Sequence, residues 1–184
     1  VVDGVDLNQK IFDVATLDGA LENEISFVNA AQYLEKLLSA VKVKQLQLNQ
    51  QYNQYRHIAI KISPDLISNE LIDIADLIIK YKIDILIATN TTIDNKLLYD
   101  QQGNKISGGL SGRPLFDKSN QVLAQIHNYF VELNYRKNLI IIGVGGINSK
   151  SDAVYKLSLG ADLVQVYTGL IYQGPNLIKQ LQEL

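Results

Sequence analysis

The chain of 184 residues carries 17 basic and 19 acidic side chains, and this near balance excludes a general electrostatic attraction to nucleic acid. No apolar run approaches the roughly 18 residues that a membrane-spanning helix needs. Cysteine is absent, which excludes disulfides and thiolate catalysis within the chain, and methionine is absent as well. Because there is no initiator methionine, we expect that a segment preceding Val1 has been removed.

From residue 29 onward, the apolar residues follow patterns that predict alternating helices and strands. Four stretches repeat apolar side chains at helical spacing, and four others are short runs rich in isoleucine, valine and leucine. The predicted helices are 29–51, 68–81, 117–133 and 149–159, and the predicted strands are 58–63, 85–90, 139–146 and 163–169. A terminal helix follows, with Pro175 in its first turn. This alternation predicts an α/β fold built on a parallel sheet.

Residues 1–28 do not show this alternation of predicted helices and strands. Ile11–Ala15 has the composition of a strand, but the residues around it give no consistent pattern. We therefore divide the chain into an unassigned amino-terminal segment, 1–28, and a domain formed by 29–184.

The last two predicted strands end in residues that expose their backbone. The run that begins at Ile140 stops in Gly143-Val144-Gly145-Gly146, and the next strand ends in Tyr167-Thr168-Gly169. Glycines at the carboxyl end of a strand let the main chain approach an anion, and a following helix adds positive partial charge. In βα barrels the phosphate site is often built by the loops after strands seven and eight. The pattern therefore indicates a phosphate site.

Polar residues also mark the ends of the first two predicted strands. Lys61 shares one strand face with Ala59 and Ser63, and an ammonium on an apolar strand is costly unless an anion or polar ligand meets it. The alternative is that Lys61 reaches solvent at the strand end. The segment 89–92, Thr-Asn-Thr-Thr, offers donors and acceptors suited to a uracil-like ring or a carboxylate. Taken alone, it fits an asparagine-capped turn equally well.

Two other features are weaker signals of function. The segment 108–114, Gly-Gly-Leu-Ser-Gly-Arg-Pro, is a loop with backbone donors and one fixed positive charge, but it lacks the phosphate-binding GxxxxGK[ST] pattern. His57 and His127 lie in unrelated segments without metal-ligand spacing. We predict no metal site and interpret each histidine as a surface or internally satisfied residue.

In combination, five segments resemble the dihydroorotate dehydrogenases, and most closely their quinone-dependent, membrane-associated class. Their order and spacing both fit, and the resemblance covers about residues 30–184. The five segments are 61–66 (KISPDL), 87–92 (IATNTT), 108–115 (GGLSGRPL), 141–147 (IIGVGGI) and 165–169 (QVYTG).

The resemblance implies an enzyme that uses flavin mononucleotide (FMN) on a TIM-type βα barrel to oxidise dihydroorotate to orotate in pyrimidine synthesis. Residues 29–184 would then supply the last four βα units, a half barrel preceded by a helix. The implied partners are dihydroorotate or orotate and a quinone as electron acceptor, without nucleic acid. The implied location of the full-length enzyme is peripheral, at the cytoplasmic face of the inner membrane.

Site residues follow from the same resemblance, position by position. It implies that Lys61 lies beside the flavin ring, that Thr89 bonds to the flavin, and that Asn90 and Thr91 bind orotate. Gly112 would lie in a loop that contacts the cofactor. The residues that would present backbone N–H groups to the ribityl phosphate are Gly146, Tyr167 and Thr168, with the adjacent Gly145.

The chain departs from the family pattern at the catalytic base. The family base is a serine in an Asn-x-Ser-Ser-Pro-Asn-Thr-like loop, and no such segment occurs in these 184 residues. We therefore assign no catalytic residue. A half barrel also leaves open strand edges, so we expect either a missing barrel half or self-association to cover them. Two alternatives remain open: a non-catalytic phosphate- or flavin-binding α/β fragment, and another flavin barrel with similar glycine loops.

Overall fold

The computed structural model describes residues 13–16, 24–27, 31–94, 96–98, 103–104 and 107–184. These residues group into two compact units. One unit comprises the described residues up to 56 together with 76–81. The other comprises 57–75 together with the described residues from 82 onward.

The first unit contains a parallel pair of strands and a long helix. Strands β1 (Asp13–Thr16) and β2 (Glu24–Phe27) pair with each other, and helix α1 (Ala31–Tyr52) follows. Strand β1 overlaps Ile11–Ala15, the stretch with the composition of a strand, of which residues 11 and 12 lie outside the described residues. Helix α1 confirms the helix predicted at 29–51, and the Glu35 carboxylate at its start pairs with the Lys80 ammonium.

The second unit is built on a four-stranded parallel sheet. Its strands are β3 (Ala59–Ile62), β4 (Ile85–Ala88), β5 (Ile140–Val144) and β6 (Leu163–Gln165), in that spatial order. The remaining helices of the described chain are α2 (Ser68–Lys80), α3 (Phe116–Glu132), α4 (Lys150–Ser158), α5 (Thr168–Gln173) and α6 (Asn176–Gln182). The predicted α/β alternation is therefore confirmed. Within the described ranges, no helix has both the length and the apolar character that crossing a bilayer demands.

The two faces of this sheet differ sharply in burial. Leu86, Ala88 and Ile141 are fully buried on the face that α3 and α4 cover. Because strand side chains alternate between faces, their neighbours lie on the opposite face. There the register places Lys61, Ile87, Ile142 and Leu163 in one row, and Lys61 and Leu163 are exposed. The second face is thus apolar and open, as expected of a half barrel.

The last strand is shorter than its sequence suggests. The run 163–169 predicts a strand to Gly169, but β6 ends at Gln165 and α5 begins at Thr168. The cause lies at Tyr167, whose carbonyl accepts hydrogen bonds from the N–H groups of Leu170 and Ile171. Local helical hydrogen bonds therefore outweigh the strand propensity of this segment.

An arginine fixes the amino-terminal ends of the last two strands. The Arg136 guanidinium donates to the Leu139 carbonyl at 2.7 Å, the Gly160 carbonyl at 2.7 Å and the Asp162 carboxylate at 2.8 Å. Its Nε donates to His127 Nδ1 at 3.0 Å. His57 in turn lies 3.1 Å from the Asp84 carboxylate. Both histidines are therefore engaged with neighbouring side chains, in agreement with the structural role expected of them.

His127 should make the fold sensitive to mild acid. Burial, together with the Arg136 guanidinium, lowers the pKa of His127 from its ordinary value of 6.5. The unfolded chain then takes up a proton near pH 6.5 while the folded chain does not, so the free energy of unfolding decreases as the pH falls below about 6.5. Urea denaturation between pH 7 and 5 measures this. His127→Asn keeps an acceptor for Arg136 without a titrating ring, so the free energy of unfolding of this variant should change less with pH. If the free energy of unfolding falls equally steeply with pH in both proteins, His127 is not the group responsible.

Candidate functional site

The loops that follow β4, β5 and β6 meet at the carboxyl end of the sheet. The Thr168 hydroxyl donates to the Ser111 hydroxyl at 2.9 Å, which joins the β6 end to the long loop after β4. A β-carbon at Gly112 would lie only 3.0 Å from Thr168 Cγ2. On the other side, Gly146 packs against Phe116, the first residue of α3. Three separate segments therefore form one surface.

The turn after β5 has the geometry of an anion site. Gly145 and Gly146 have φ angles of 113° and 71°, in the left-handed region where side chains are strained. A β-carbon at Gly146 would also lie 2.6 Å from Phe116 Cα. Within the part of the chain that the structure describes, no acceptor pairs with the backbone N–H of Gly145, Gly146 or Thr168. Such uncommitted main-chain donors suit a phosphate group.

The residues after β4 are fixed by hydrogen bonds that continue the sheet ladder. The Thr89 N–H donates to the Val144 carbonyl at 3.1 Å, and the Asn90 N–H donates to the Ile62 carbonyl at 2.8 Å. Thr89 is buried, with its hydroxyl 2.9 Å from the carbonyl of Asn90, which is half-buried. These bonds fix Thr89 and Asn90 between the ends of the two neighbouring strands.

Lys61 lies near the carboxyl end of β3, on the open face of the sheet. The register pairs it with Ile87, two residues before Thr89. Its side chain is exposed, and among the described residues it has no hydrogen-bond or ion-pair partner. The ammonium is therefore free to meet an anionic or polar ligand at this edge.

The long loop after β4 folds back over the strand end. Thr92 and Leu110 form an antiparallel bridge, with N–H···O distances of 3.1 and 2.8 Å. The Thr91 side chain contacts Gly109, where a β-carbon would collide with it. Arg113, later in the loop, bonds Asp152 at the start of α4 at 2.7 Å. The loop is thus held to the end of β4 by the Thr92–Leu110 bridge and to the start of α4 by the Arg113–Asp152 ion pair.

Asp152 also completes the amino-terminal cap of α4. The Ser149 hydroxyl accepts the Asp152 N–H at 3.2 Å, and the carboxylate accepts the Asn148 N–H at 3.0 Å. Burial raises the pKa of Asp152, but the hydrogen bonds from Asn148, Arg113 and Ser149 outweigh it and leave the pKa below its usual value. The ionised carboxylate therefore links the glycine turn, the loop and α4.

One charged network at the site was not found from the sequence. The Asp65 carboxylate accepts from the Ile93 N–H at 2.8 Å and from the Thr92 hydroxyl, and it pairs with the Lys118 ammonium at 2.6 Å. Lys118 also contacts the exposed Asp94 at 3.0 Å. Asp65 stands in the segment KISPDL, so its position was visible, but its partners come from segments far away in sequence. The network ties the loop after β3 to the loop that carries Thr91.

The predicted site residues therefore fall at one end of one sheet. Lys61 lies in β3, and Thr89 and Gly145 directly follow the adjacent strands β4 and β5. Gly112 and Gly146 belong to the contacting loops, and Thr168 is the first residue of α5. Tyr167 is 78% exposed, and Asn90 and Thr91 are half-buried. Which ligand atoms these residues contact stays a prediction.

Comparisons with known proteins agree on one family. The family model described as "Dihydroorotate dehydrogenase" matches residues 3–184. The chain is 48% identical over 147 residues to the dihydroorotate dehydrogenase (quinone) of Buchnera aphidicola subsp. Schizaphis graminum, covering 80% of this chain and 42% of that protein. It is 49% identical over 148 residues to the protein of that name from Hamiltonella defensa, covering 43% of it. The chain thus spans about two fifths of these relatives.

Solved structures give the same result for the fold. The crystal structure of dihydroorotate dehydrogenase (DHODH) from Eimeria tenella in complex with ferulenol matches with a TM-score of 0.69 and 28% identity. The match covers 84% of the present chain and 43% of the Eimeria chain. The ligand-free form from the same organism matches with a TM-score of 0.69 and 30% identity. The predicted resemblance and the half-barrel fold are both confirmed.

Asp65→Asn should lower the free energy of unfolding by about 1–2 kcal/mol, because charge-assisted hydrogen bonds to partly buried groups become neutral ones. The matched control is Asp94→Asn, which removes the exposed carboxylate from the same lysine and should cost less than about 0.5 kcal/mol. Urea denaturation at pH 7 gives the free energy of unfolding of each variant for comparison. Equal losses would show that Asp65 contributes no more than a surface charge.

Proposed function

Because the chain belongs to the dihydroorotate dehydrogenase family, we propose that it supplies the phosphate-binding half of an FMN-dependent enzyme that oxidises dihydroorotate to orotate. The observation that carries the proposal is the set of uncommitted backbone donors where three loops meet, with a free ammonium on the open face of the same sheet. A flavin with a phosphate tail needs both features. The substrate and cofactor come from the family, and the residues present in this chain fit them.

The glycine turn would hold the phosphate of FMN. Gly145, Gly146 and Thr168 offer backbone N–H groups, and the absence of side chains at the two glycines allows a close approach. Tyr167 would add a further backbone donor, and Gly112 lies against Thr168 where the loop would contact the cofactor. No net protein charge is needed for this contact, since oriented amides alone attract an anion.

Lys61 would act on the electronic properties of the flavin. The chemistry that FMN supplies when bound is the acceptance of a hydride. An ammonium beside the flavin ring would favour negative charge on the ring and so raise its reduction potential. Thr89, held between two strand ends, would hydrogen-bond the same ring.

Asn90 and Thr91 would bind the substrate. Their amide and hydroxyl groups match the carboxylate and ring carbonyls of dihydroorotate, and the loop that covers Thr91 would limit the access of water. The proton on carbon must pass to a base within hydrogen-bond reach. The serine segment of the family is not in this sequence, so we assign the base to no residue of this chain.

The electron acceptor and the location follow the family in the same way. We propose a quinone as acceptor and a peripheral position at the cytoplasmic face of the inner membrane for the full-length enzyme. A second candidate function is a non-catalytic phosphate- or flavin-binding module that self-associates. It is favoured by the open apolar sheet face, where Ile140 and Leu163 are 43% and 54% exposed.

Lys61→Ala should weaken FMN binding on the order of tenfold and lower the reduction potential of the bound flavin, because the reduced form loses a counter-charge. Fluorescence titration and redox titration of the protein measure the two effects. Lys44→Ala, which removes an exposed lysine from α1, is the control and should change neither quantity. If Lys61→Ala behaves like Lys44→Ala, Lys61 is a solvated lysine and the assignment is wrong.

The isolated 184-residue chain should not oxidise dihydroorotate at a measurable rate. It lacks the family's base segment, and a base must lie about 2.6–3.2 Å from the transferred proton. Its open sheet face should instead produce dimers or larger species. Size-exclusion chromatography and an anaerobic flavin-reduction assay test both statements. A monomer that reduces added FMN with dihydroorotate would overturn them and require a base elsewhere in the sequence.

A further inference from the structure

A lysine on α4 is completely buried. Lys156 has no exposed surface, and its ammonium donates to the Ser119 hydroxyl at 2.9 Å and to the Asn120 amide oxygen at 2.7 Å, both on α3. It also lies 5.4 Å from the centre of the Phe116 ring. The sequence alone does not reveal this burial, because a lysine on a helix is normally solvated.

Lys156 packs against the end of β5, two residues before the glycine turn. A β-carbon at Gly143 would be 3.1 Å from Lys156 Cδ, so the lysine side chain fills the space that this glycine leaves. The Ser119 hydroxyl, which accepts from the ammonium, is within donating distance of the Gly145 carbonyl at 3.3 Å and of the Phe116 carbonyl at 3.0 Å. A continuous path of hydrogen bonds therefore joins the buried ammonium to the turn.

The charge of Lys156 is not balanced by an ion pair. Within the described part of the chain, no carboxylate lies within salt-bridge distance of its ammonium. Burial lowers its pKa to about 8, and the charge of Asp152, one turn earlier, opposes this effect. Asp152 is itself bonded to Arg113. A buried, uncompensated ammonium is unfavourable for folding, so its position calls for an anion supplied from outside.

We propose that Lys156 is the counter-charge for a doubly charged phosphate bound at the Gly145–Gly146 turn, and that it makes the site select phosphorylated over unphosphorylated flavin. This inference rests on the proposed function. Lys156 is a positioning residue, because it acts on the ligand through Ser119 and the turn. Two effects combine: its charge attracts the dianion through a poorly screened interior, and its bond to Ser119 fixes the turn.

The same arrangement gives the site a pH dependence. Loss of the ammonium proton near pH 8 removes the counter-charge, while the phosphate, with its second pKa near 6, stays doubly charged. The groups that face Lys156 from α3 are the neutral Ser119, Asn120 and Phe116, and β5 presents Gly143. Charged neighbours are Asp152 on α4 and its partner Arg113, whose guanidinium lies 4.3 Å from the centre of the Phe116 ring. Selectivity for phosphate should therefore fall between pH 7 and 9.

Binding of FMN and of riboflavin tests the inference, because the two ligands differ only in the phosphate. Fluorescence titration of the protein gives their affinity ratio. Lys156→Met keeps the volume and removes the charge, so the ratio should fall on the order of tenfold while the riboflavin affinity changes less than about twofold. Ser119→Ala should reduce the ratio by a smaller factor. Lys137→Met, at the opposite end of β5, is the control and should keep the wild-type ratio.

The possible outcomes separate the two proposals. If the wild-type protein binds FMN no better than riboflavin, the proposed function fails and this inference fails with it. If the wild-type protein prefers FMN and Lys156→Met retains the full preference, only the inference is overturned. Should Lys156→Met not fold, the wild-type ratio measured from pH 7 to 9 decides the question. A ratio that is constant over that range would overturn the inference.

Discussion

The parallel hydrogen-bond ladder that joins β3 to β6 determines where the strand-end residues of the candidate site lie. Its register sets Lys61 beside Ile87, and the bonds that extend it set Thr89 beside Val144 and Asn90 beside Ile62. A slip of one residue in this register would turn each side chain to the other face of the sheet. The lysine would then point into the helix layer. The chemistry at the carboxyl end therefore depends on interactions that involve no side chain of the site.

The sequence predicted the elements of this ladder because strands buried in a parallel sheet are short isoleucine- and leucine-rich runs. It predicted the end of β6 poorly, since Val166 and Tyr167 favour strands while the Tyr167 carbonyl takes part in helical bonds. It located the glycine turn and Lys61 from residue type alone. It could not locate Asp65 with Lys118 or Ser119 with Lys156, because those pairs join segments more than 35 residues apart.

Two cations, the half-buried Lys118 and the buried Lys156, support the site in different ways. Lys118 is paired with Asp65, so its charge is compensated locally and the pair fixes the loop after β4. Lys156 has neutral partners, so its charge remains available to act on the glycine turn. The first arrangement contributes rigidity and the second contributes electrostatic potential. Neither lysine would be selected by a search for polar residues at strand ends, although both determine what the strand ends can bind.

The contacts of the glycines have a consequence for how related sequences can diverge. At Gly109, the obstacle to a larger residue is the Thr91 side chain, including its Cβ at 2.6 Å, so an alanine there would be accommodated only together with glycine at position 91. At Gly146 the obstacle is the main chain of Phe116, and at Gly169 it is the carbonyl of Ile147. No second substitution removes a main-chain atom. Among homologues, positions 109 and 91 should therefore covary, whereas positions 146 and 169 should remain glycine whatever their neighbours become.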